Sequence, residues 1–221
     1  MVLNEVMKIM RKNIEDILEI LGETYPDAKC ALEFNSPYEM LVSTILSAQC
    51  TDVRVNKVTS ELYRDFNTPE KMLTLTEDQL ADKIRSCGLY RNKSRNIIAA
   101  SRSIMKNFNG EVPSTMEELL SLPGVGRKTA DVVLSNAFGI PAIAVDTHVF
   151  RVSNRIGIGK GSTPRKVEEE LMKNIPRDKW SISHHYLIWH GRRICKARKP
   201  DCDNCPVAPY CDYFGSVGGK S

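Results

Sequence analysis

The chain has 221 residues, 42% of them hydrophobic, which is enough apolar material for one or two buried cores. No stretch approaches the roughly 18 uninterrupted apolar residues of a membrane span, and Glu5, Lys8 and Arg11 interrupt the N-terminal apolar residues, which argues against a signal peptide. The formal net charge is +4, but residues 141–221 hold 14 Lys and Arg against 8 Asp and Glu. We expect a soluble intracellular (cytoplasmic) protein whose basic part either binds a polyanion or is simply a solvated surface.

Helix-start patterns recur along the chain, and strand patterns are nearly absent. Ser36-Pro37-Tyr38-Glu39 combines an N-cap serine, a proline at the first helical position and a capping-box glutamate. Residues 76–79 and 114–117 repeat that arrangement, with Thr76 and Ser114 as the caps. Two further starts pair a threonine cap with a proline, and three glycines mark helix ends: Thr68-Pro69, Thr163-Pro164, Gly88, Gly110 and Gly139.

Amphipathic runs with helical periodicity lie between these signals, at residues 40–46, 53–66 and 97–108. The longest β-like run, Ala142–Val145, is too short to demand a sheet. We therefore predict an all-α fold. We expect two domains: a helical bundle over residues 30–140, and a second helical domain made of residues 1–29 and 141–221.

A glycine hairpin is the most informative stretch of the sequence. Residues 122–130 read LPGVGRKTA and separate two predicted helices, and Leu122 and Val125 should fix the turn to the core. Gly124 and Gly126 carry no Cβ, so backbone N–H groups can approach a phosphate, and the start of the second helix aims its free N–H groups at the same point. Gly-Val-Gly alone fits an ordinary turn equally well. With Leu-Pro before it and Arg-Lys-Thr after it, we predict a helix–hairpin–helix that grips the DNA backbone, with Arg127 contributing.

Lys128 and Asp146 are the candidate catalytic residues. Lys128 falls in the first turn of the second helix, where the helix dipole and partial burial should disfavour its ammonium form. A partly neutral lysine can form a Schiff base, although a phosphate-binding lysine is the simpler interpretation of this residue alone. Asp146 is expected to cap a helix that runs through Arg155. A capping carboxylate can also stabilise positive charge at a sugar C1′ or accept a proton from an attacking amine.

The pairing of LPGVGRKTA with AVDTH at residues 144–148 resembles the endonuclease III family of helix–hairpin–helix DNA glycosylases, over about residues 14–214. The resemblance implies two α-helical domains with the active site in the cleft between them, Lys128 as the nucleophile and Asp146 as the essential carboxylate. It implies that the lesion nucleotide rotates out of the duplex, that Lys128 displaces the base at C1′, and that β-elimination cuts the strand. The implied partner is double-stranded DNA carrying oxidised pyrimidines or abasic sites. We expect the protein to be associated with the nucleoid, and a monomer is the default expectation.

An extruded base leaves a gap that inserted side chains can fill. Gln49 lies between two predicted helices, and Leu89 follows a helix-ending glycine. From the residues alone, a solvent-facing glutamine and a core leucine are the simpler interpretations. The family resemblance implies instead that Gln49 plugs the gap and that Leu89 acts as an apolar wedge. Asp52 and His148 also match positions of the family's lesion cleft, with helix capping and a packed histidine as the alternatives.

Four of the seven cysteines crowd into 17 residues: Cys195, Cys202, Cys205 and Cys211. Clustered thiols in an intracellular chain indicate a metal rather than disulfides. A single C-x2-C pair leaves zinc and iron–sulfur equally open. The resemblance to endonuclease III implies a [4Fe–4S] cluster, which would fold the C-terminal segment rather than take part in catalysis. We expect the other three, Cys30, Cys50 and Cys87, to serve as small apolar packing residues.

The loop after the first clustered cysteine is basic, and we predict that it contacts phosphates through Lys196, Arg198 and Lys199. Two other functions stay open. A glycosylase without lyase activity, specific for mismatched thymine or uracil or for adenine, would activate water, but those relatives lack a lysine at the position of Lys128. A non-catalytic DNA-binding module would explain the hairpin but not the additional matches at Asp146 and Gln49.

Overall fold

The computed structural model describes residues 14–217. Within that range the chain is helical and holds no β-strand, so the all-α prediction is confirmed, and the β-like run Ala142–Val145 is a buried extended connection. None of the described helices combines the length and apolar character that crossing a bilayer requires. Residues 1–13 and 218–221, which the sequence places in the second domain, lie outside the described residues.

The helices follow one another with short connections. The first, α1, is described over residues 14–24. The next seven are α2 (Pro37–Ser47), α3 (Asp52–Leu62), α4 (Pro69–Met72), α5 (Glu77–Lys83), α6 (Tyr90–Asn107), α7 (Met116–Leu120) and α8 (Arg127–Ala137). The last four are α9 (Thr147–Ile156), α10 (Pro164–Asn174), α11 (Trp180–Arg193) and α12 (Asp212–Val217). Three 3-10 turns lie at Arg85–Cys87, Arg177–Lys179 and Ala208–Tyr210.

Side-chain caps begin most helices where the sequence predicts them. The Ser36 hydroxyl accepts the backbone N–H of Glu39 at 3.2 Å. The predicted capping box is wrong in one detail, because the Glu39 carboxylate accepts the backbone N–H of Asn35, one residue before the cap, at 2.6 Å. Thr76 and Gln79 form a complete capping box at α5. Thr68 and Thr163 cap α4 and α10, which like α2 begin with proline.

Two boundaries differ from their predictions. The cap of α7 is Thr115 rather than Ser114, because the acid that completes the pair is Glu118: the threonine hydroxyl donates to its carboxylate at 2.6 Å and accepts its backbone N–H at 3.3 Å. The amphipathic run at residues 53–66 is longer than α3, which ends at Leu62. Gly88, Gly110 and Gly139 follow helix ends with positive φ values of 67°, 82° and 64°.

The chain divides into two compact units, one formed by Cys30–Ile140 and the other by the described residues on either side of it. In the Cys30–Ile140 unit, α2 packs on α8, and α4 and α5 pack on α6. Its core holds large, fully buried side chains: Met40, Leu41, Leu46, Met72, Leu80, Ile84, Ile97, Ile104 and Leu119. In the other unit α9 packs on α11 and α10, around a core to which α1 contributes Ile17 and Leu21.

Candidate active site and metal centre

Buried side chains anchor the hairpin between α7 and α8, and its second glycine faces open space. Leu122 and Val125 are 2% and 7% exposed, which confirms that they anchor the turn. Gly124 has φ 77°, and a Cβ there would lie 2.6 Å from the Cβ of Asn96, so both the backbone angle and the packing require glycine. At Gly126 a Cβ would meet nothing within 4 Å, and this residue immediately precedes α8, which has no side-chain cap. The first N–H groups of α8 are therefore not taken up by a capping side chain.

Lys128 is the second residue of α8, and its side chain is exposed. The expectation of partial burial is therefore wrong. The physical reason is the helix face: Ala130 and Val133 on the same helix are fully buried, and Lys128 points away from them. Its neighbour Arg127 is half-buried. Lys128 does lie near the N-terminus of α8, as predicted, so the positive end of the helix dipole is beside its amine.

Asp146 caps α9, as predicted. Its Oδ1 accepts the backbone N–H groups of His148 and Val149, both at 2.8 Å. The buried connection at residues 142–145 leads directly into it, so both the backbone and the side chain are held. Because the cap uses only Oδ1, the other carboxylate oxygen stays available to a reacting group. Lys128 belongs to the Cys30–Ile140 unit and Asp146 to the other unit.

His148 is half-buried and contacts a basic residue not predicted from the sequence. Its Nδ1 lies 3.1 Å from a guanidinium nitrogen of Arg151, and its Cβ would lie 3.0 Å from a Cβ at Gly191. Arg151 in turn donates to the carbonyls of Gly191 at 2.9 Å and Cys195 at 3.1 Å. The arginine therefore ties the start of α9 to the segment that carries the first clustered cysteine.

Gln49 and Leu89 both stand in left-handed backbone, with φ values of 53° and 47°. Gln49 is exposed in the connection between α2 and α3. Leu89 immediately precedes α6 and is 53% exposed, so the alternative of a core leucine is wrong. Strained backbone of this kind tends to occur at functional positions, where the direction of a side chain matters. The alternative for Asp52, a helix cap, is also wrong, because Thr51 caps α3 with its side chain.

The four clustered cysteines line the wall of one cavity, together with Arg155 and His190. No group of three or more His, Cys, Asp or Glu among residues 14–217 is arranged to hold a single metal ion. Four cysteines around one cavity supply the ligand set of a [4Fe–4S] cluster.

The ionisation of these thiols depends on what the cavity holds. Burial, with the neighbouring cysteines adding to it, raises the pKa of Cys205 to about 11. Burial likewise raises the pKa of Cys202. Thiolates are the form that binds metal, and a bound metal replaces the missing solvation and lowers the thiol pKa. The residues present therefore fit an iron–sulfur cluster.

Arg155, a second residue not predicted from the sequence, organises the basic loop after Cys195. Its guanidinium lies 3.5 Å from Sγ of Cys195, donates to the carbonyls of Lys196 at 2.7 Å and Ala197 at 3.0 Å, and stacks over the ring of Tyr213 at 4.9 Å. The sequence does contain a pattern that could have indicated these arginines, because Arg151 and Arg155 lie one helical turn apart after the capping aspartate. The side chains predicted to contact phosphates are all exposed: Lys196, Arg198 and Lys199.

Two family models match the chain. One, described as HhH-GPD superfamily base excision DNA repair protein, matches residues 42–177. The other, described as the iron–sulfur binding domain of endonuclease III, matches residues 195–211. The first match contains both the hairpin and Asp146, and the second begins and ends on clustered cysteines.

Individual relatives match over nearly the whole chain. Endonuclease III of Rickettsia conorii is 50% identical over 201 residues, which are 91% of this chain and 96% of that protein. Endonuclease III of Escherichia coli K12 is 48% identical over 202 residues, again 91% and 96% of the two chains. A solved structure of a trapped covalent endonuclease III–DNA intermediate matches with a TM-score of 0.88 and 47% identity, covering 93% of this chain and 97% of that one.

Proposed function

The chain belongs to the endonuclease III family of the HhH-GPD superfamily, and from that premise we propose that Lys128 is the nucleophile of its reaction. The protein is a base excision repair enzyme that binds damaged DNA, a DNA glycosylase that also cleaves abasic sites, and it carries a [4Fe–4S] cluster. The observation that carries the assignment of Lys128 is its position: an exposed primary amine in the first turn of α8, directly after an uncapped glycine hairpin.

The chemistry proposed for Lys128 accounts for both activities with one amine. Its neutral Nζ attacks C1′ of the extruded nucleotide, the glycosidic bond breaks, and the base leaves with the bonding electron pair and takes up a proton. The ring-opened sugar is then held as an imine to Nζ. Removal of a C2′ proton expels the 3′-phosphate, which becomes the 5′-phosphate end of the other fragment. Water then hydrolyses the unsaturated imine, which frees Nζ and leaves an unsaturated aldehyde on the first fragment. A nearby phosphate-gripping hairpin would hold the strand in place during these steps.

Asp146 is proposed as the carboxylate that assists this attack. One of its oxygens is held by two backbone N–H groups, so the group is fixed in direction. Its free oxygen can stabilise the positive charge that develops at C1′ or accept a proton from the attacking amine. A rigid, half-buried carboxylate does this without reorganising at the moment of reaction.

The remaining site residues are proposed to bind DNA. We assign the backbone contacts to Gly124, Gly126 and Arg127 in the hairpin and to the basic loop of Lys196, Arg198 and Lys199. Gln49 and Leu89 are assigned to the gap left by the extruded nucleotide, supported by their exposure and left-handed backbone. Two polar residues are proposed to line the lesion pocket: Asp52 and His148.

The metal ligands are proposed to be the four clustered cysteines, Cys195, Cys202, Cys205 and Cys211, because all four line one cavity. When bound, the cluster supplies a folded C-terminal segment and no open iron site for hydrolysis, since cysteine fills every external position. For substrates we propose oxidised pyrimidines such as thymine glycol, together with abasic sites. We further propose that the protein acts as a monomer, in the cytoplasm and associated with the nucleoid.

Borohydride trapping tests the nucleophile directly. Wild-type protein is mixed with duplex DNA that contains one thymine glycol, and sodium borohydride reduces any imine to a stable covalent complex seen on a denaturing gel. Lys128→Gln should abolish the complex, whereas Lys106→Gln, which removes the same charge from an exposed position on α6, should retain it. Base release without trapping would favour a water-activating glycosylase. Full trapping by Lys128→Gln would assign the amine to another residue.

A further inference from the structure

A buried lysine lies beneath the two segments that carry Gln49 and Leu89. Lys93, on the first turn of α6, is only 4% exposed. Its Nζ donates to the carbonyl of Leu46 at 2.8 Å and to the carbonyl of Cys87 at 2.8 Å. Leu46 is three residues before Gln49 and Cys87 is two residues before Leu89, so one ammonium group bonds to both segments.

Both carbonyls belong to the ends of helices, where the regular backbone partners run out. Leu46 lies in the last turn of α2, and the amide of Cys50, which would continue the helical pattern, bonds to Ser47 instead. Cys87 ends the 3-10 turn Arg85–Cys87. The carbonyl ends of helices carry partial negative charge, so a cation donating two hydrogen bonds is well matched to this place.

An ammonium group is costly to bury, so the charge of Lys93 at this position needs a physical reason. Burial lowers the pKa of Lys93, and the neighbouring thiols of Cys50 and Cys87 oppose that effect. An apolar side chain here would fill the space but leave two buried carbonyls without a donor, and an unsatisfied buried acceptor is destabilising. The chain would then relax by moving the segments that carry these carbonyls.

We propose that Lys93 is a positioning residue for DNA insertion: it holds the exposed Gln49 and Leu89 side chains, through the Leu46 and Cys87 carbonyls, in the arrangement that fills the gap beside an extruded nucleotide. This inference rests on the proposed roles of Gln49 and Leu89. It makes Lys93 necessary for work on duplex DNA and unnecessary for the chemistry at Lys128.

The matched pair of variants is Lys93→Met and Ser101→Ala. Methionine keeps most of the length of the lysine and removes the donors. Ser101 is fully buried on the same helix, where its hydroxyl bonds to Tyr38 at 2.6 Å and to the Ile97 carbonyl at 2.8 Å. Its replacement therefore removes buried hydrogen bonds from α6 away from both loops, and thermal unfolding of the two variants shows whether their losses of stability are comparable.

The first readout is the ratio of two rates. Strand cleavage is measured on duplex DNA with thymine glycol and on a single-stranded oligonucleotide with an abasic site, which has no gap to fill. For Lys93→Met we expect kcat/KM on the duplex to fall about tenfold or more, and the single-strand rate to change by less than about twofold. Ser101→Ala should leave the ratio at its wild-type value. Equal losses on both substrates, or no loss on the duplex, would overturn the proposal.

The second readout does not require catalysis. In the Lys128→Gln background, 2-aminopurine is placed opposite the lesion, and its fluorescence rises when enzyme binding separates it from its partner and its stacked neighbours. Adding Lys93→Met should abolish most of that rise at saturating protein, whereas adding Ser101→Ala should preserve it. An unchanged rise with Lys93→Met contradicts the positioning role even if the lysine chemistry is correct. Failure of the assignment of Lys128 would appear in borohydride trapping instead.

Discussion

Tyr25 and His190 form a buried hydrogen bond, with 3.0 Å between the phenol oxygen and Nδ1, and Nε2 of the same ring lies 3.5 Å from Sγ of Cys205. Burial raises the pKa of Tyr25 to about 12 and lowers that of His190 to about 4, so at neutral pH the phenol is protonated and the imidazole is neutral. When Cys205 ligates the cluster it is a thiolate, which can only accept, so the ring hydrogen then lies on Nε2 and Tyr25 donates to Nδ1.

Tyr25→Phe should therefore weaken the metal centre without touching a metal ligand. The change removes the donor that fixes the His190 tautomer, and we expect a loss of about 1 kcal/mol in the free energy of unfolding. Visible absorption of the iron–sulfur cluster should disappear at lower urea concentration than in the wild type. Tyr186→Phe, which removes a phenol oxygen that lies against Gly22, is the control. Identical urea midpoints for both variants would contradict the proposed chain of hydrogen bonds.

Asp146 combines a structural and a chemical role that substitutions can separate. Asp146→Asn keeps an oxygen that can accept the N–H groups of His148 and Val149, but it removes the charge. We expect stability close to that of the wild type and a fall in base release of about 100-fold or more. Asp146→Ala should lose the activity and also about 1 kcal/mol of stability, because the cap is gone. Activity retained by the asparagine variant would reduce Asp146 to a cap.

Replacement by alanine should affect folding at one hairpin glycine and DNA binding at the other. Gly124→Ala places a Cβ 2.6 Å from Asn96 at φ 77°, and we expect it to destabilise the protein by roughly 1–3 kcal/mol. Gly126→Ala meets nothing within 4 Å and should leave the melting temperature nearly unchanged. Its methyl group stands where a phosphate is proposed to approach, so the affinity for undamaged duplex should fall. Unaltered affinity would place the phosphate contact elsewhere.

The basic loop predicts a change in salt dependence. Replacing Lys196, Arg198 and Lys199 together by glutamine should weaken DNA binding and reduce the slope of log K against log salt by about 2–3, since each phosphate that the protein neutralises contributes about 0.9 to that slope. The three side chains are exposed, so folding should be unaffected. A triple replacement of other exposed residues, Lys57, Lys71 and Lys83, lowers the net charge equally. Equal slopes for both triple variants would mean that the loop acts only through net charge.

The buried imidazole of His185 should make the free energy of unfolding depend on pH. Burial, with a contribution from neighbouring His184, lowers its pKa from 6.5 to about 4. Between these values the unfolded chain binds a proton that the folded chain does not, so stability present above pH 6.5 is lost as the pH falls towards 4. The loss from this residue is about 3 kcal/mol. Urea unfolding of His185→Gln across this range should show a pH slope smaller by about one proton, and an unchanged slope would contradict the assignment.

The sequence predicted the features that depend on only a few residues close together in the chain. Ser36 and Thr76 cap their helices because each cap and its partner lie within one turn of each other. The start of α7 was misplaced by one residue because Ser114 and Thr115 both carry a hydroxyl, and only the position of Glu118 separates them. The local sequence pattern shows where a helix is capped, but it does not show which of two neighbouring hydroxyls forms the cap.

Features that depend on packing at a distance could not be predicted in the same way. The exposure of Lys128 follows from which face of α8 is buried, and the predicted partial burial was wrong. Lys93 stands in the polar run RNKSRN, which predicts an exposed lysine, yet it bonds to a carbonyl 47 residues away in the chain. Arg155 likewise reaches 41 and 42 residues ahead, to carbonyls of the basic loop.

The left-handed backbone at Gln49, Leu89 and Lys199 also sets a limit on stabilising this protein. An L-residue in that region loses roughly 1–2 kcal/mol that glycine would not. An engineer who selects only for heat resistance would therefore be led to replace these residues by glycine. Each such exchange would also delete a side chain proposed to touch DNA, so a more heat-resistant version obtained in this way would be a poorer repair enzyme.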